Sequence, residues 1–257
     1  MSKSLTNITL TVLVTLGLLV ATTAVADSSS HRYKALKTTE AIHVDGKLDE
    51  VVWEKAQAVN LSVKNGGETK QATTVRMLWD DYYLYFSWDC EDSHVWSTMT
   101  VRDQPLYNEE VVEVFIDADS DRFGYVELEI NPLGTFWDGF ILNHGLNDEG
   151  HVKLTGILAW NSKDIRWAAW PRGTVGDSSD TDQGWSAEMA VPLKDMVTAP
   201  HNPPRDGDKW LVNFYRIDLP HGAGHKGEGQ AWSPVSGTTF HDPEQFGQLI
   251  FSTELVP

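Results

Sequence analysis

Residues 113–139 read EVFIDADSDRFGYVELEINPLGTFWDG. Apolar and polar residues alternate on both sides of an acidic turn, and the second run stops at Asn131-Pro132, where proline removes a ladder donor. Alternation with period two sends one face of each strand into a core and leaves the other outside it. On the second strand that outer face carries Glu127, Glu129 and Asn131, a polar shelf on a rigid sheet.

The same pattern extends outward in both directions. Thr73 to Trp79 and Tyr83 to Cys90 read as a hairpin turning at Asp80-Asp81, and Glu110 to Asp117 as the partner of Gly124 to Asn131. Ala41 to Val44, Thr135 to Leu142, Val152 to Trp160, Arg166 to Trp170, Trp185 to Val191, Trp210 to Asp218 and Phe246 to Phe251 continue the strand signals. Two short helices are expected, Glu50 to Ala58 capped by Asp49 with Trp53 inward, and one turn from Pro192 to Met196. Many short strands without crossover helices predict an all-β fold, an antiparallel β-sandwich of jelly-roll type in one domain over residues 41–257. Trp79, Trp88, Trp185 and Trp210 fall in strand register and are expected in its core. Trp96, Trp137 and Trp232 lie nearer loops.

The first residues predict export. Lys3, the apolar run Ile8 to Val20 and Ala24-Val25-Ala26 have the order of a signal peptide over residues 1–26, followed by a short polar leader over 27–40. The expected location is secreted or periplasmic, with no membrane association after cleavage. The 257 residues hold 20 Lys+Arg against 37 Asp+Glu, a formal net charge of −17, which repels phosphate backbones and argues against nucleic acid. Cys90 is the only cysteine, so no internal disulfide is available; its strand register makes it a buried thiol.

Several blocks occur in one order: VDGKLDE (44–50) with Trp53, VRMLWDDYYLY (75–85), VVEVFID (111–117), GYVELEINPLGT (124–135), WSAEMAVPL (185–193), WLVNFYRID (210–218), WSP (232–234) and HDPEQFGQLIF (241–251). Together they resemble a family 9 carbohydrate-binding module of the DOMON-like superfamily. The resemblance implies a jelly-roll-like sandwich that binds a glycan, often at a chain end, between two aromatic rings, and serves polysaccharide breakdown beside a glycoside hydrolase partner. Tyr107 and Phe240 stand where relatives carry the clamping tryptophans. Glu113 matches the strand glutamate, and Glu129 stands where a basic residue is expected. Asn131 on the shelf and Arg216 join them as hydrogen-bonding candidates. Arg216 lies three residues from Asn213 on one strand and so faces the opposite side; it is preferred for the ligand because a buried guanidinium needs a partner.

The ligand expected is therefore an oligo- or polysaccharide, with no catalytic residue, no metal ligand and no cofactor required. DADSD (117–121) resembles the start of a calcium loop, but Arg122 replaces the loop glycine and Leu128 the final glutamate. An acidic turn is the preferred reading, with structural calcium left open by the resemblance. Two alternatives stay open. The superfamily includes haem-binding electron-transfer domains, for which Met77, Met99 or Met189 with a histidine would be axial ligands. Glu113, Glu127 and Glu129 would supply an acid pair if the chain were itself a glycoside hydrolase, such as a xylanase component.

Overall fold

A computed structural model describes residues 31–222 and 225–257; the signal segment 1–26 lies outside the described residues. The strands are β1 (Arg32–Lys37), β2 (Ala58–Asn60), β3 (Ser62–Val63), β4 (Thr73–Trp79), β5 (Tyr83–Cys90), β6 (Val111–Asp117), β7 (Gly124–Ile130), β8 (Phe136–Leu146), β9 (Val152–Ile157), β10 (Arg166–Pro171), β11 (Trp185–Pro192), β12 (Lys209–Asp218), β13 (Glu228–Ala231) and β14 (Gly247–Leu255). One hydrogen-bonded path runs β10-β11-β5-β4-β1-β14-β12-β6-β7-β8-β9. It folds back on itself, so β10, β11, β5 and β4 pack over β12, β6, β7 and β8.

The sandwich follows from alternation. Val75, Met77, Phe86, Trp88, Ala187 and Met189 point inward from one layer, and Val112, Val114, Val126, Leu128, Val212 and Phe214 from the other. Phe214 meets Phe86 at 5.6 Å and Trp88 at 6.1 Å between ring centroids. Trp167 on β10 stacks on Phe136 of β8 at 4.4 Å. Burying one such phenylalanine contributes about 1.5–3 kcal/mol. Cys90 is fully buried, and desolvation pushes its thiol up to about 12, which makes it unreactive.

Among the described residues the sheet departs from a purely antiparallel one at a single strand. β1 runs parallel to β14 through Arg32–Ala35 and parallel to β4 through Leu36–Lys37, so it crosses from one layer to the other. Composition places these residues in the polar leader; the pairing places them in the domain, which therefore begins before residue 41. Only Tyr33 and Ala35 of RYKALK are fully buried, so the alternation is too short to announce a strand. Tyr33 anchors it: its hydroxyl donates to the Gln57 carbonyl at 2.5 Å and accepts the Met77 N–H at 2.8 Å.

The segment after β1 is not the strand expected over Ala41–Val44 but a loop held by side chains. The helix shortens to α1 (Val51–Lys55) with Glu50 at its N-cap, and Ala58 already starts β2. Glu188 on the outer face of β11 organises this region. One carboxylate oxygen accepts the Trp53 indole N–H at 2.8 Å; the other accepts the backbone N–H groups of Asp45 at 2.9 Å and Gly46 at 2.8 Å. Gly46 sits at φ +87°, and a Cβ there would lie 2.8 Å from the Ala169 carbonyl carbon, so a larger residue would push the loop off the sheet. Block VDGKLDE with Trp53 is thus a plug over the β4–β5–β11 layer, remote from the opposite outer face.

Candidate functional site

The outer face of β12, β6, β7 and β8 carries the candidate site. Register sets two rows across it: Tyr215, Glu113, Glu129 and Trp137 in one, Asn213, Phe115, Glu127 and Gly139 in the next. A Cβ on Gly139 would sit 2.8 Å from the Trp137 ring, so glycine lets the indole lie down along the sheet. Above these rows opens a cleft of about 800 Å³ with Glu113, Phe115, Glu127, Trp137 and Ile141 in its floor. Leu154 and Leu158 close one side, Ile217 and Leu219 another. Tyr107, from the 3-10 turn Leu106–Asn108, and Phe240 stand at its walls.

The two candidate clamp rings differ in how they are held. Tyr107 is 50% exposed. Phe240 is half-buried and stacks on Tyr215, with ring centroids 4.2 Å apart and planes 10° apart. The Tyr215 hydroxyl donates to the Phe240 carbonyl at 2.8 Å, and Lys64 Nζ donates to the Thr238 carbonyl at 2.7 Å with its charge 6.0 Å over the Phe240 ring. Beside it His241 stacks on Phe115 at 5.1 Å and shares a 2.8 Å hydrogen bond between its Nδ1 and the Tyr125 hydroxyl. Burial lowers the His241 pKa to about 4, so it is neutral near pH 7.

The shelf expected to be free is instead sunk, with Glu113 and Glu127 in the cleft floor. Glu113, Glu127 and Glu129 are all buried, and Glu113 Oε1 and both Glu129 carboxyl oxygens lack a hydrogen-bond partner. Burial pushes Glu127 up to about 8; burial, then the neighbouring carboxylates, hold Glu113 and Glu129 well above the usual carboxylate range. Glu110, buried near Asp92, is pushed to about 9. A carboxyl whose pKa is higher folded than unfolded binds more protons in the native state, so its contribution is fully present below about pH 4.3 and is lost as pH rises through the folded value. These groups therefore predict a stability that falls between about pH 5 and pH 9, measurable as a declining urea midpoint, and Glu127→Gln should flatten the decline. A midpoint that rises across this range would contradict the assignment.

Two residues of the expected ligand set are engaged elsewhere. Asn131 is fully buried and its amide is saturated: Nδ2 donates to Ser97 Oγ and the Met99 carbonyl at 2.8 Å each, while Oδ1 accepts the N–H groups of Leu133 at 3.1 Å and Thr135 at 2.8 Å. It ties the 97–99 segment to the end of β7 instead of meeting a ligand. Arg216 points inward from β12. Its Nη2 donates to Asp92 Oδ2 at 2.7 Å and lies 3.6 Å from Asp218 Oδ1, and its Nη1 donates to the Glu91 carbonyl at 2.8 Å. The partner that a buried guanidinium needs is supplied by the protein.

Tyr107, Phe240 and Glu113 thus meet in one cleft, Glu129 lies just beneath it, and Asn131 and Arg216 do not reach it. Trp137 lines the floor, whereas Trp232 packs on Phe214 in the core. Glu127 and Ile217 follow from period two, being two residues from Glu129 and Tyr215; Lys64 arrives from the turn after β3, with no local signal. The loop around His221 edges the cleft through Leu219, Gly227 and Gly229, with Ala223 and Gly224 outside the described residues. Met77 and Met189 are sealed between the two layers, where no haem could reach them.

Comparison with known proteins adds relatives to this geometry. The profile of the family described as carbohydrate family 9 binding domain-like matches residues 44–254. The exoglucanase XynX of Acetivibrio thermocellus is 34% identical over 210 residues, and the endo-1,4-beta-xylanase A of Thermoanaerobacterium saccharolyticum 23% identical over 210. Each match covers 81% of this chain but only 16% and 15% of those longer proteins. A putative carbohydrate-binding protein from Bacteroides uniformis superposes with a TM-score of 0.61 at 17% identity, covering 86% of this chain and 99% of its own. A family 9 carbohydrate binding module from Caldicellulosiruptor kristjanssonii, in complex with glucose, superposes at 0.58 with 15% identity, covering 85% and 95%.

Proposed function

The chain belongs to the carbohydrate family 9 binding domain-like family, and we propose from this that its cleft over β6, β7 and β8 holds a glycan, at a chain end or along a short stretch. The observation that carries the reading is the convergence of Tyr107, Trp137 and Phe240 with the Glu113 and Glu127 carboxyls in one sugar-sized cleft. Axial C–H faces of a pyranose pack on the rings, and its hydroxyls meet the carboxyls. Titration calorimetry against a panel of cello-, xylo-, manno- and chito-oligosaccharides tests it; silence across the panel would remove the reading.

The binding is noncatalytic. The matched family is one of binding domains, and the match covers only 16% and 15% of the two hydrolases, most of whose length lies outside it. Release of reducing sugar from any panel member would overturn this. A glycoside hydrolase acting on the same polysaccharide is the natural partner, given the hydrolase names of the longer relatives. Export through cleavage after Ala26 goes with that role, and N-terminal sequencing of the mature protein tests it.

Structural calcium would sit at the β6–β7 turn. The carboxyl oxygens of Asp117, Asp119 and Asp121 lie within 4.8 Å of one another, and Asp117 Oδ1 is buried without a partner, a hard oxygen set suited to Ca²⁺. At a hundredfold excess over its dissociation constant, Ca²⁺ should add about 2.7 kcal/mol of stability, and Asp117→Asn should abolish the gain. An unchanged melting temperature in Ca²⁺ would refute the site.

A further inference from the structure

The cleft floor contains acid without counter-charge. Glu113 and Glu129 face each other across β6 and β7, and Glu127 lies two residues from Glu129 on the same face. Around them stand Tyr215 on β12, Tyr125 on β7 and, at the walls, Tyr107, His241 and Lys64. Lys64 is the one cation lining the cleft among the described residues, and its Nζ is engaged by the Thr238 carbonyl at the rim. Glu113 is 1% exposed, lines the cleft and leaves Oε1 without a partner. A buried carboxyl in that state is costly unless a ligand completes it.

We propose that this cleft selects a saccharide carrying a free primary amine, whose ammonium binds beside Glu113 and supplies the missing positive charge. The inference rests on the glycan reading above and narrows it to amino sugars. Spacing favours an ammonium on an extended ligand over a chelated metal ion. Glu127 and Glu129 alternate along β7 and Glu113 faces Glu129 from β6, and among the described residues these three do not bring one oxygen each within 4.8 Å of one another. By contrast, Asp92, Glu110 and Asp218 bring their oxygens within 4.8 Å of one another. The apolar walls suit the C–H face of a sugar ring. The raised carboxyl pKa values add a signature: an entering ammonium favours the ionised carboxyl, so binding should release protons at a pH where both the free amine and the cluster are protonated.

The test compares three oligosaccharides of equal length by calorimetry: a β-1,4-linked glucosamine oligomer, its fully N-acetylated form and a cello-oligosaccharide. Each is run in two buffers of different ionisation enthalpy and at low and high salt. The expected result is at least tenfold tighter binding of the free amine than of either neutral chain, with proton release. The preference should survive salt, because a buried contact is screened far less than attraction to a protein of net charge −17. Glu113→Gln should collapse the preference; if that variant does not fold, Glu127→Gln serves in its place. Equal or tighter binding of the cello-oligosaccharide overturns the proposal but leaves the glycan reading standing, as does a preference that vanishes in salt. Displacement of the amine by Ca²⁺ through Glu113 would also overturn it, in favour of a metal site. Silence of all three and of the wider panel removes both readings.

Discussion

Replacing Arg216 with methionine is expected to lower the unfolding free energy by about 3–5 kcal/mol, read from urea denaturation. Arg216 is fully buried, and its guanidinium is the charge that faces Asp92 and Asp218. Removing it leaves these acids, with Glu110 beside them, crowded in a site closed to water. Most of the cost therefore comes from the uncompensated carboxylates and little from the lost pair itself. Adding Asp92→Asn to the Arg216→Met variant should recover part of the loss, because the asparagine oxygen can still accept the His94 N–H that Asp92 Oδ1 accepts at 2.9 Å. Below its melting temperature the Arg216→Met protein should bind glycan normally, since this side chain points away from the cleft. Loss of binding in a folded variant would return Arg216 to the ligand; stability within about 0.5 kcal/mol of the parent would mean the cluster is not closed to water.

The second large effect separates the two clamp rings. Tyr107→Ala should weaken glycan binding by about 2 kcal/mol, roughly 30-fold, as truncation of an aromatic contact in a binding site does. Its effect on folding should stay within about 0.5 kcal/mol, because half of the ring is already in water. Phe240→Ala should weaken binding too, but it also removes the stack on Tyr215, worth about 0.5–1.5 kcal/mol beyond the area it buries. The sequence alone predicts that both substitutions spare folding; the stack makes them unequal. Calorimetry and urea denaturation on the same two proteins decide it. If Tyr107→Ala binds as the parent does, the cleft is not gripping its ligand through this wall.

The block around Glu188 illustrates how a motif can be legible while its purpose is not. VDGKLDE and Trp53 stand out in the chain, yet nothing nearby shows that one carboxylate on β11, more than 130 residues away, receives the indole and both turn amides. In the candidate site the same holds. Glu113 and Phe240 follow from local alternation and motif position, but Phe240 owes its orientation to Tyr215 and Lys64, and the burial of the shelf comes from residues brought in by other parts of the chain.

The long central strands, and which face of each turns inward, are readable along the chain, because alternation is a local property of the pleated backbone; the short β2, β3 and β13 and the first strand β1 are not. β4 and β5 keep their expected bounds, and β6 and β7 move by one residue. Which polar residues find partners is settled only when the chain has folded. Arg216 and Asn131 look like ligand groups until Asp92, Asp218, Ser97 and Met99 close around them, and Arg32–Lys37 looks like a leader until β14 and β4 offer it hydrogen bonds. A side chain's periodicity is written within a few residues of it, whereas its hydrogen-bond partners come from wherever the fold brings the chain back.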